Sequence, residues 1–281
     1  MNRIESALAA GPPPLWLDAD AYAARLLAQD APPWLDSSAY IAWQCKTVAL
    51  LEPGIAALKL APIVVAWLGQ APATLAAMRA SRRTVAPLKA LLADQALRAH
   101  LLTIVVGLRA SHRQLPLALT LPSPHRWLAE AHGLACGTAP AFADDDIDAA
   151  AMYLADFLRG FADAGVDLLL LEETSDSAPR SAAALACYQA VLNLAGHLRW
   201  GIGLHLPGDA CAALDYAGID FLIAAGAAPG ICHGLALGPA FWAGDARPAL
   251  PPATFPYVEV PADAVPERVL ARLAELRTCA A

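Results

Sequence analysis

The sequence predicts a single (β/α)8 barrel, in which parallel strands form a ring that is covered by helices. The chain has 281 residues, a usual length for one barrel of this kind. About eight short apolar segments alternate with stretches of helical periodicity, which is the order that parallel strands and crossover helices require. Because no linker is long enough to divide the chain, we expect residues 1–281 to form one domain.

The composition indicates a cytoplasmic protein with a large core and a small-molecule substrate. Apolar residues make up 58% of the chain and the net charge is −7, so we expect no nucleic-acid partner. The six cysteines form no closely spaced pair and are interpreted as reduced thiols. Residues 60–78 are uncharged but contain Pro62, Gly69 and Pro72, so we interpret them as a strand, a turn and a helix start and expect no membrane partner. The oligomeric state stays open, with a homodimer among the alternatives.

The first half of the chain is predicted to contribute three strands, and their helices can be placed by capping residues. The strands are residues 15–17, which end at Asp18, residues 55–65 and residues 115–121. Lys59 and Pro62 make the end of the second strand uncertain. Asp36 or Ser37 can cap the first long helix. Residues 101–108 are apolar enough for a strand, but a helix there leaves a short connection to the third strand.

The centre of the chain contains the clearest helix–strand unit. Apolar residues recur at helical spacing from Ile147 to Phe161, and Gly165 then suits the left-handed position that ends a helix. Residues 166–171 are almost entirely apolar, which is typical of a parallel strand covered on both faces. This strand ends on Glu172 and Glu173.

The second half is predicted to complete the barrel with four more strands and a closing helix. The strands are residues 200–206, 219–225, 231–237 and 256–260, and the helix spans residues 264–278. A short helix is expected from Pro207 and Asp209 to Tyr216. The connection between residues 225 and 231 is too short for a crossover helix, so either one strand is wrong or a loop replaces the helix.

Three residues at strand ends are the candidate catalytic groups. The carboxyl ends of parallel strands form the ligand face of an α/β barrel, and Glu172, Glu173 and His205 lie at such ends. Carboxyl and imidazole groups there can act as general acid and base. The alternatives are a solvated loop for the glutamates and a packed, hydrogen-bonded histidine. Strand alternation that begins at Asp167 favours Glu173 as the inward residue.

Four further residues are candidates for binding the substrate. Asp18 follows the first strand and can bind a cationic group, although its neighbour Asp20 equally suits a helix cap. Ser123, His125 and Arg126 lie in a proline-rich segment after the third strand, which we expect to be a loop. Arg126 can hold a carboxylate with a bidentate fork, or form a surface salt bridge.

A mixed metal site is a further alternative. Cys232 and His233 lie on one predicted strand and can be combined with His205 and Glu173, or with Glu172 in its place. Adjacent residues on a strand face opposite sides, so only one of Cys232 and His233 can point inward. The spacing is not diagnostic, and no cofactor is predicted from it.

The order of three motifs resembles the superfamily of uroporphyrinogen decarboxylase and cobalamin-independent methionine synthase. The motifs are LTLPSPHRWL, ADAGVDLLLLEE and GIGLHLPG. The ending PYVEVPADAVPERVLARLAEL is also similar to the last strand and closing helix of that superfamily. The resemblance extends from about Leu15 to Leu276 and implies a (β/α)8 barrel whose later strand presents a histidine, here His205.

The departures from this superfamily concern its metal and its substrate. Its methyltransferase branch binds zinc through a His-x-Cys pair, an upstream Glu and a late Cys-Gly step, whereas His205 is followed here by Leu206 and Pro207. Zinc is therefore expected only with an altered ligand set. The decarboxylase branch has an arginine-rich first loop, but residues 17–22 are acidic here and would repel a tetrapyrrole polyacid.

Three hypotheses of function follow. The resemblance implies methyl or alkyl transfer with a small amino-acid-like substrate and a degenerate zinc site. The second hypothesis is a lyase or decarboxylase of a small acid, with Arg126 or Arg180 binding the carboxylate. The third is a barrel that binds a ligand or partner without catalysis.

Overall fold

The protein is an eight-stranded parallel barrel, as the sequence predicts. The computed structural model describes residues 13–81, 83–138, 140–208, 214–226, 230–244, 250–251 and 254–279. Its strands are β1 Trp16–Asp18, β2 Ala56–Lys59, β3 Leu117–Pro122, β4 Leu168–Glu172, β5 Gly201–His205, β6 Phe221–Ala224, β7 Cys232–Leu237 and β8 Thr254–Glu259. The hydrogen-bonded order is β1-β8-β7-β6-β5-β4-β3-β2, and all pairs are parallel.

Strands β1 and β2 meet where the ring closes, at a seam without a strand ladder in the described residues. One backbone hydrogen bond crosses the seam just before both strands, from the Gly54 N–H to the Leu15 carbonyl oxygen at 2.8 Å. The barrel is therefore nearly closed, with one weakly paired line along its wall.

Helices follow most of the strands and cover the outside of the barrel. They are α1 Asp20–Ala28, α2 Ser37–Leu51, α3 Leu60–Leu68, α4 Pro72–Arg79, α5 Ala86–Leu92, α6 Gln95–Ser111, α7 Pro124–Cys136, α8 Asp144–Arg159, α9 Ala182–Ala186, α10 Gln189–Leu198, α11 Pro239–Ala243 and α12 Pro266–Cys279. Asp36 caps α2 by accepting a hydrogen bond from the Ala39 N–H at 2.9 Å, as its position predicts. In the part of the chain that is described, no single helix has the length and apolar composition needed to cross a membrane, although two bent helix pairs do when joined.

Aromatic rings fill the barrel interior. The Trp16 ring lies 5.8 Å from that of Phe221 and 6.3 Å from that of Phe255, measured between centroids. Two glycines make room for these rings, because a Cβ on Gly203 would lie 2.2 Å from Phe221 and one on Gly234 would lie 2.6 Å from Phe255. The interior is thus a packed core, and the open end above it is left for chemistry.

Strand β4 shows which residues face inward. Leu168 and Leu170 belong to the interior cluster, whereas Leu169 and Leu171 pack between the barrel and the helices. Since side chains alternate along a strand, the next inward residue is Glu172.

Two sequence predictions about the elements need correction or completion. The predicted strand 55–65 ends at Lys59, and α3 begins at Leu60, because Pro62 lies in a first helical turn, where no N–H donor is required. Both β6 and β7 exist and are neighbours, so a loop replaces one crossover helix. Residues 101–108 are helical, as preferred. The short helix expected from Asp209 to Tyr216 lies largely outside the described residues, and residues 214–216 are not helical.

Candidate active site at the barrel mouth

Five strands end on polar residues at the same end of the barrel, and four of these residues form one group, whereas the exposed Glu259 of β8 is not part of it. The four grouped residues are Asp18, Lys59, Glu172 and His205, which end β1, β2, β4 and β5. Glu172 and His205 are paired across the β4–β5 ladder, so their side chains are neighbours on the inner face. This end of a parallel barrel is where active sites form.

Lys59 lies at the centre of the polar group. Its Nζ atom is 2.5 Å from Asp18 Oδ2 and 3.3 Å from Glu172 Oε1. Burial lowers the pKa of Lys59, but the negative charges of Asp18 and Glu172 outweigh it and raise the pKa above its ordinary value. Lys59 therefore stays protonated and joins three strands by charge.

Arg126 brings a second cation to the mouth from the first turn of α7. Its Nη1 atom is 3.4 Å from Glu172 Oε2, and its Nε atom is 2.7 Å from Glu130 Oε1. The inner group therefore contains two carboxylates, Asp18 and Glu172, and two cations, Lys59 and Arg126. A site that contains both kinds of charge can exchange its internal partners for both ends of a zwitterionic ligand.

The His205 ring packs against the Tyr257 ring at the mouth, and the two ring planes are tilted by 51°. The ring centroids are 4.7 Å apart, and the Tyr257 hydroxyl donates to Asp18 Oδ2 at 3.4 Å. Burial lowers the pKa of His205, and this effect exceeds the opposing influence of the Glu172 and Asp18 charges. The imidazole is consequently neutral at neutral pH and is able to accept a proton.

Glu173 faces away from this group, so its prediction as the inward glutamate is wrong. Its Oε2 atom accepts hydrogen bonds from Ser123 Oγ at 2.7 Å and Ser177 Oγ at 2.5 Å, and its Oε1 atom accepts one from the Tyr188 hydroxyl at 2.7 Å. Burial raises the pKa of Glu173 to about 7, against the effect of these hydrogen bonds. The pocket expected to contain Glu172, Glu173 and His205 together contains only the first and last of them.

The residues predicted to form a loop after β3 are instead the start of a helix. Ser123 is fully buried and caps α7 by accepting from the Arg126 N–H at 3.1 Å. His125 directs Nδ1 to the Ser177 carbonyl oxygen at 3.2 Å and lies edge-on to Phe142. Of the three residues proposed to bind substrate here, only Arg126 contacts the charged group.

The mixed metal site with His205 is wrong, because the ladder through β6 aligns Cys232 with Gly203, two residues before His205, and no such metal group forms among the described residues. Cys232 and His233 begin β7, whereas Glu172 and His205 end their strands, and all the strands are parallel. Cys232 packs against the interior cluster, and the His233 ring reaches the Ala224 carbonyl oxygen at 3.3 Å. Glu173 is separated from His205 by the barrel wall.

The residues at the mouth do not fit the zinc site of the methionine synthase branch. Leu206 and Pro207 follow His205, so the position of the ligand Cys in that branch is occupied here by proline. Within the described ranges, no group of three His, Cys, Asp or Glu side chains is placed to hold a metal ion. The Lys59 ammonium lies between Asp18 and Glu172, where a cation would otherwise be attracted.

Sequence reasoning missed two members of the site, Lys59 and Tyr257. Lys59 had the same signal as Glu172 and His205, a charged residue at the end of an apolar strand, but it was interpreted as a defect in a longer strand. Tyr257 lies inside the last predicted strand, and nothing in its neighbours indicated an inward position.

Comparison with protein-family models and with curated protein sequences finds no match for this chain. The assignment of function therefore depends on the geometry of the mouth and on the resemblance described above.

Proposed function

We propose that the protein is an enzyme that binds a small amino-acid-like zwitterion at the barrel mouth and transfers a methyl or alkyl group. The arrangement of carboxylates and cations around Lys59 carries the binding part of this proposal. Arg126 and Lys59 suit the substrate carboxylate, while Asp18 and Glu172 suit its ammonium group.

His205 is the proposed general base. As the acceptor, a thiol or an amine, attacks the alkyl carbon of the donor, its proton passes to the neutral imidazole. The donor is an onium compound such as a sulfonium, so when its bond to the alkyl carbon breaks, the electron pair remains on a neutral leaving atom. Glu172, paired with His205 across the ladder, stabilises the imidazolium that forms.

The binding part is tested by calorimetric titration with three matched compounds. Methionine carries both charges, 4-(methylthio)butanoic acid only the carboxylate, and 3-(methylthio)propylamine only the ammonium group. We expect methionine to bind at least tenfold more tightly than either analogue. Arg126→Gln should remove its preference over the amine, and Glu172→Gln its preference over the acid. The exposed Arg159, which contacts only Asp156 within its own helix, provides the control variant Arg159→Gln.

The outcome separates the rival functions. Preference for the acid over methionine would contradict this proposal and favour a lyase or decarboxylase of small acids, with Arg126 and Lys59 holding the carboxylate. Binding of methionine without any transfer of a deuterium-labelled methyl group from S-methylmethionine, a sulfonium amino acid, to thiol or amine acceptors, followed by mass spectrometry, would favour a binding barrel. Loss of the transfer in His205→Ala with unchanged methionine affinity is the result expected of a general base.

A further inference from the structure

A small polar cavity lies inside the barrel, below the ion pair of Lys59 and Asp18. Its volume is about 20 Å³, which is close to the space that one water molecule occupies. Asp18, Asp20, Lys59, Thr120 and Tyr257 contribute to its lining, together with apolar residues of the barrel interior.

Two buried oxygen atoms in this lining lack a hydrogen-bond partner among the described residues. They are Asp20 Oδ2 and Thr120 Oγ1, and Thr120 is only 3% exposed. Buried polar atoms are nearly always paired, so two of them in one water-sized cavity indicate a ligand. Lys59 adds a donor, because only two of its three ammonium protons are directed to Asp18 and Glu172.

We propose that Asp20 and Thr120 bind one internal water molecule beneath Lys59, and that Asp20 acts through this water as a positioning residue for the Lys59 ammonium. The water donates to Asp20 Oδ2 and Thr120 Oγ1 and accepts from Lys59 Nζ. A metal cation does not suit the cavity, because the Lys59 charge borders it. An apolar guest would leave both oxygen atoms unpaired.

The location of Asp20 in the wall supports this role. Asp20 also borders a second cavity of about 30 Å³ on the other side of the β1–β2 seam, towards α2. Leu17, Ala19 and Ala57 line both cavities. Asp20 thus lies in the weakly paired line of the wall, where water can approach it from outside the barrel.

Charged and polar groups on every neighbouring element act on Asp20. They are Asp18 on β1, Lys59 on β2, Glu172 on β4, Tyr257 on β8, and Tyr40 and Gln44 on α2. Burial and the Asp18 charge raise the pKa of Asp20 to about 6, although Gln44, which donates to Oδ1 at 3.1 Å, and Lys59 lower it. As the pH falls through about 6, Asp20 therefore loses the charge that anchors the water and, through it, Lys59.

The first test is a carbon-13 NMR titration of the Asp20 carboxyl group in the protein without substrate. We expect a midpoint near pH 6 in the wild type, and a higher midpoint in Thr120→Val, since a weaker water site stabilises the ionised carboxylate less. Thr120→Ser keeps the hydroxyl group and should titrate like the wild type. Identical titrations in Thr120→Val and the wild type would overturn the proposal.

A crystal structure at high resolution provides the second measurement. Density for one water within hydrogen-bond distance of Asp20 Oδ2 and Thr120 Oγ1 is expected in the wild type and in Thr120→Ser, and none is expected in Thr120→Val. Density in all three, or in none, would contradict the site.

The positioning role has its own measurement, the nitrogen-15 signal of Lys59 Nζ. It should shift near pH 6 in the wild type and stay constant in Asp20→Asn, whereas a merely structural Asp20 would leave the two profiles parallel. None of these experiments uses a substrate, so their failure is distinct from a failure of the proposed transfer reaction.

Discussion

Glu172 and Glu173 are adjacent in the chain, yet they lie in opposite environments. Glu172 ends β4 on the inner face, between the cations Lys59 and Arg126. Glu173 lies behind the wall among the neutral hydroxyl groups of Ser123, Ser177 and Tyr188. Two carboxyl groups of the same type therefore have different surroundings, because adjacent residues on a strand point to opposite faces.

The difference shows that the surroundings, rather than the residue type, decide which carboxyl group is available for chemistry. The charges of Lys59 and Arg126 hold Glu172 beside His205 at the mouth of the barrel. Glu173 has all its hydrogen bonds inside the protein and joins β4 to α7 and α10. Four variants test this contrast, in the order of the effects expected.

The largest effect is expected from Lys59→Met, which removes the cation that Asp18 and Glu172 share. Leaving partners of a buried ion pair unpaired is strongly destabilising, but the Lys59 side chain is 25% exposed, so we expect a loss of about 2 kcal/mol in the free energy of unfolding. Urea denaturation measures it. The exposed Lys46 supplies the control, and Lys46→Met should change stability by less than about 0.5 kcal/mol. Equal losses in both variants would mean that the charges at the mouth are not coupled.

A pH-dependent effect is expected from Glu173→Gln. The pKa of Glu173 in the folded protein, about 7, lies above the ordinary value of 4.5, so the unfolded chain loses its proton first as the pH rises. The Glu173 contribution therefore lowers wild-type stability between about pH 4.5 and 7. Glutamine cannot ionise. Across this pH interval, the free energy of unfolding of the variant should therefore rise relative to that of the wild type by on the order of 2 kcal/mol. Thermal melting at several pH values measures the gain, and a pH-independent difference would refute the explanation.

A smaller effect is expected at His205 when Glu172 is replaced. The Glu172 charge raises the pKa of His205 against the effect of burial, so Glu172→Gln should lower that pKa further. Proton NMR titration of the imidazole measures the change. Glu173→Gln is the matched control and should leave the His205 titration as it is, because that carboxyl group lies on the far side of the wall. A larger shift in the control would reverse the assignment of the two faces.

The smallest effect is expected from Tyr257→Phe. This variant removes a hydroxyl group whose hydrogen bond to Asp18 is long, at 3.4 Å, and keeps the ring that packs against His205. Stability should fall by less than about 1 kcal/mol in urea denaturation. Tyr188→Phe removes the corresponding hydroxyl behind the wall, with its 2.7 Å bond to Glu173, and should cost more. A larger loss of stability in Tyr257→Phe would show that the hydrogen bond to Asp18 at the mouth is stronger than the hydrogen bond to Glu173 behind the wall.

The fold could be predicted because apolar strands and amphipathic helices leave clear patterns in the sequence. The orientation of β4 could not be predicted in the same way. Residues 168–171 are all leucine, so the strand is equally apolar on both faces and residue type carries no information about which face is inside. The structure places Leu168 inward, which turns Glu172 to the mouth and Glu173 away from it.

The members of the site were only partly visible for two further reasons. Lys59 ends β2, but the residues of α3 that follow are also apolar. The end of the strand, and with it the position of Lys59 at the mouth, could therefore not be recognised from the sequence. Cys232 was placed near His205 although it lies near the start of the predicted strand 231–237, whereas active-site residues lie at the carboxyl ends of parallel strands. Asp18, Glu172 and His205, by contrast, follow short apolar runs directly and were found from the sequence.

Contacts at the mouth also hold the seam between β1 and β2 together. The backbone hydrogen bond from Gly54 to Leu15 joins the two strands at their amino ends, and the ion pair of Asp18 and Lys59 joins them at their carboxyl ends. A ligand that binds Asp18 or Lys59 therefore breaks this ion pair while it is bound. Amide protons along this line should then exchange with solvent faster in the complex than in the free protein, the reverse of the protection that ligands usually give.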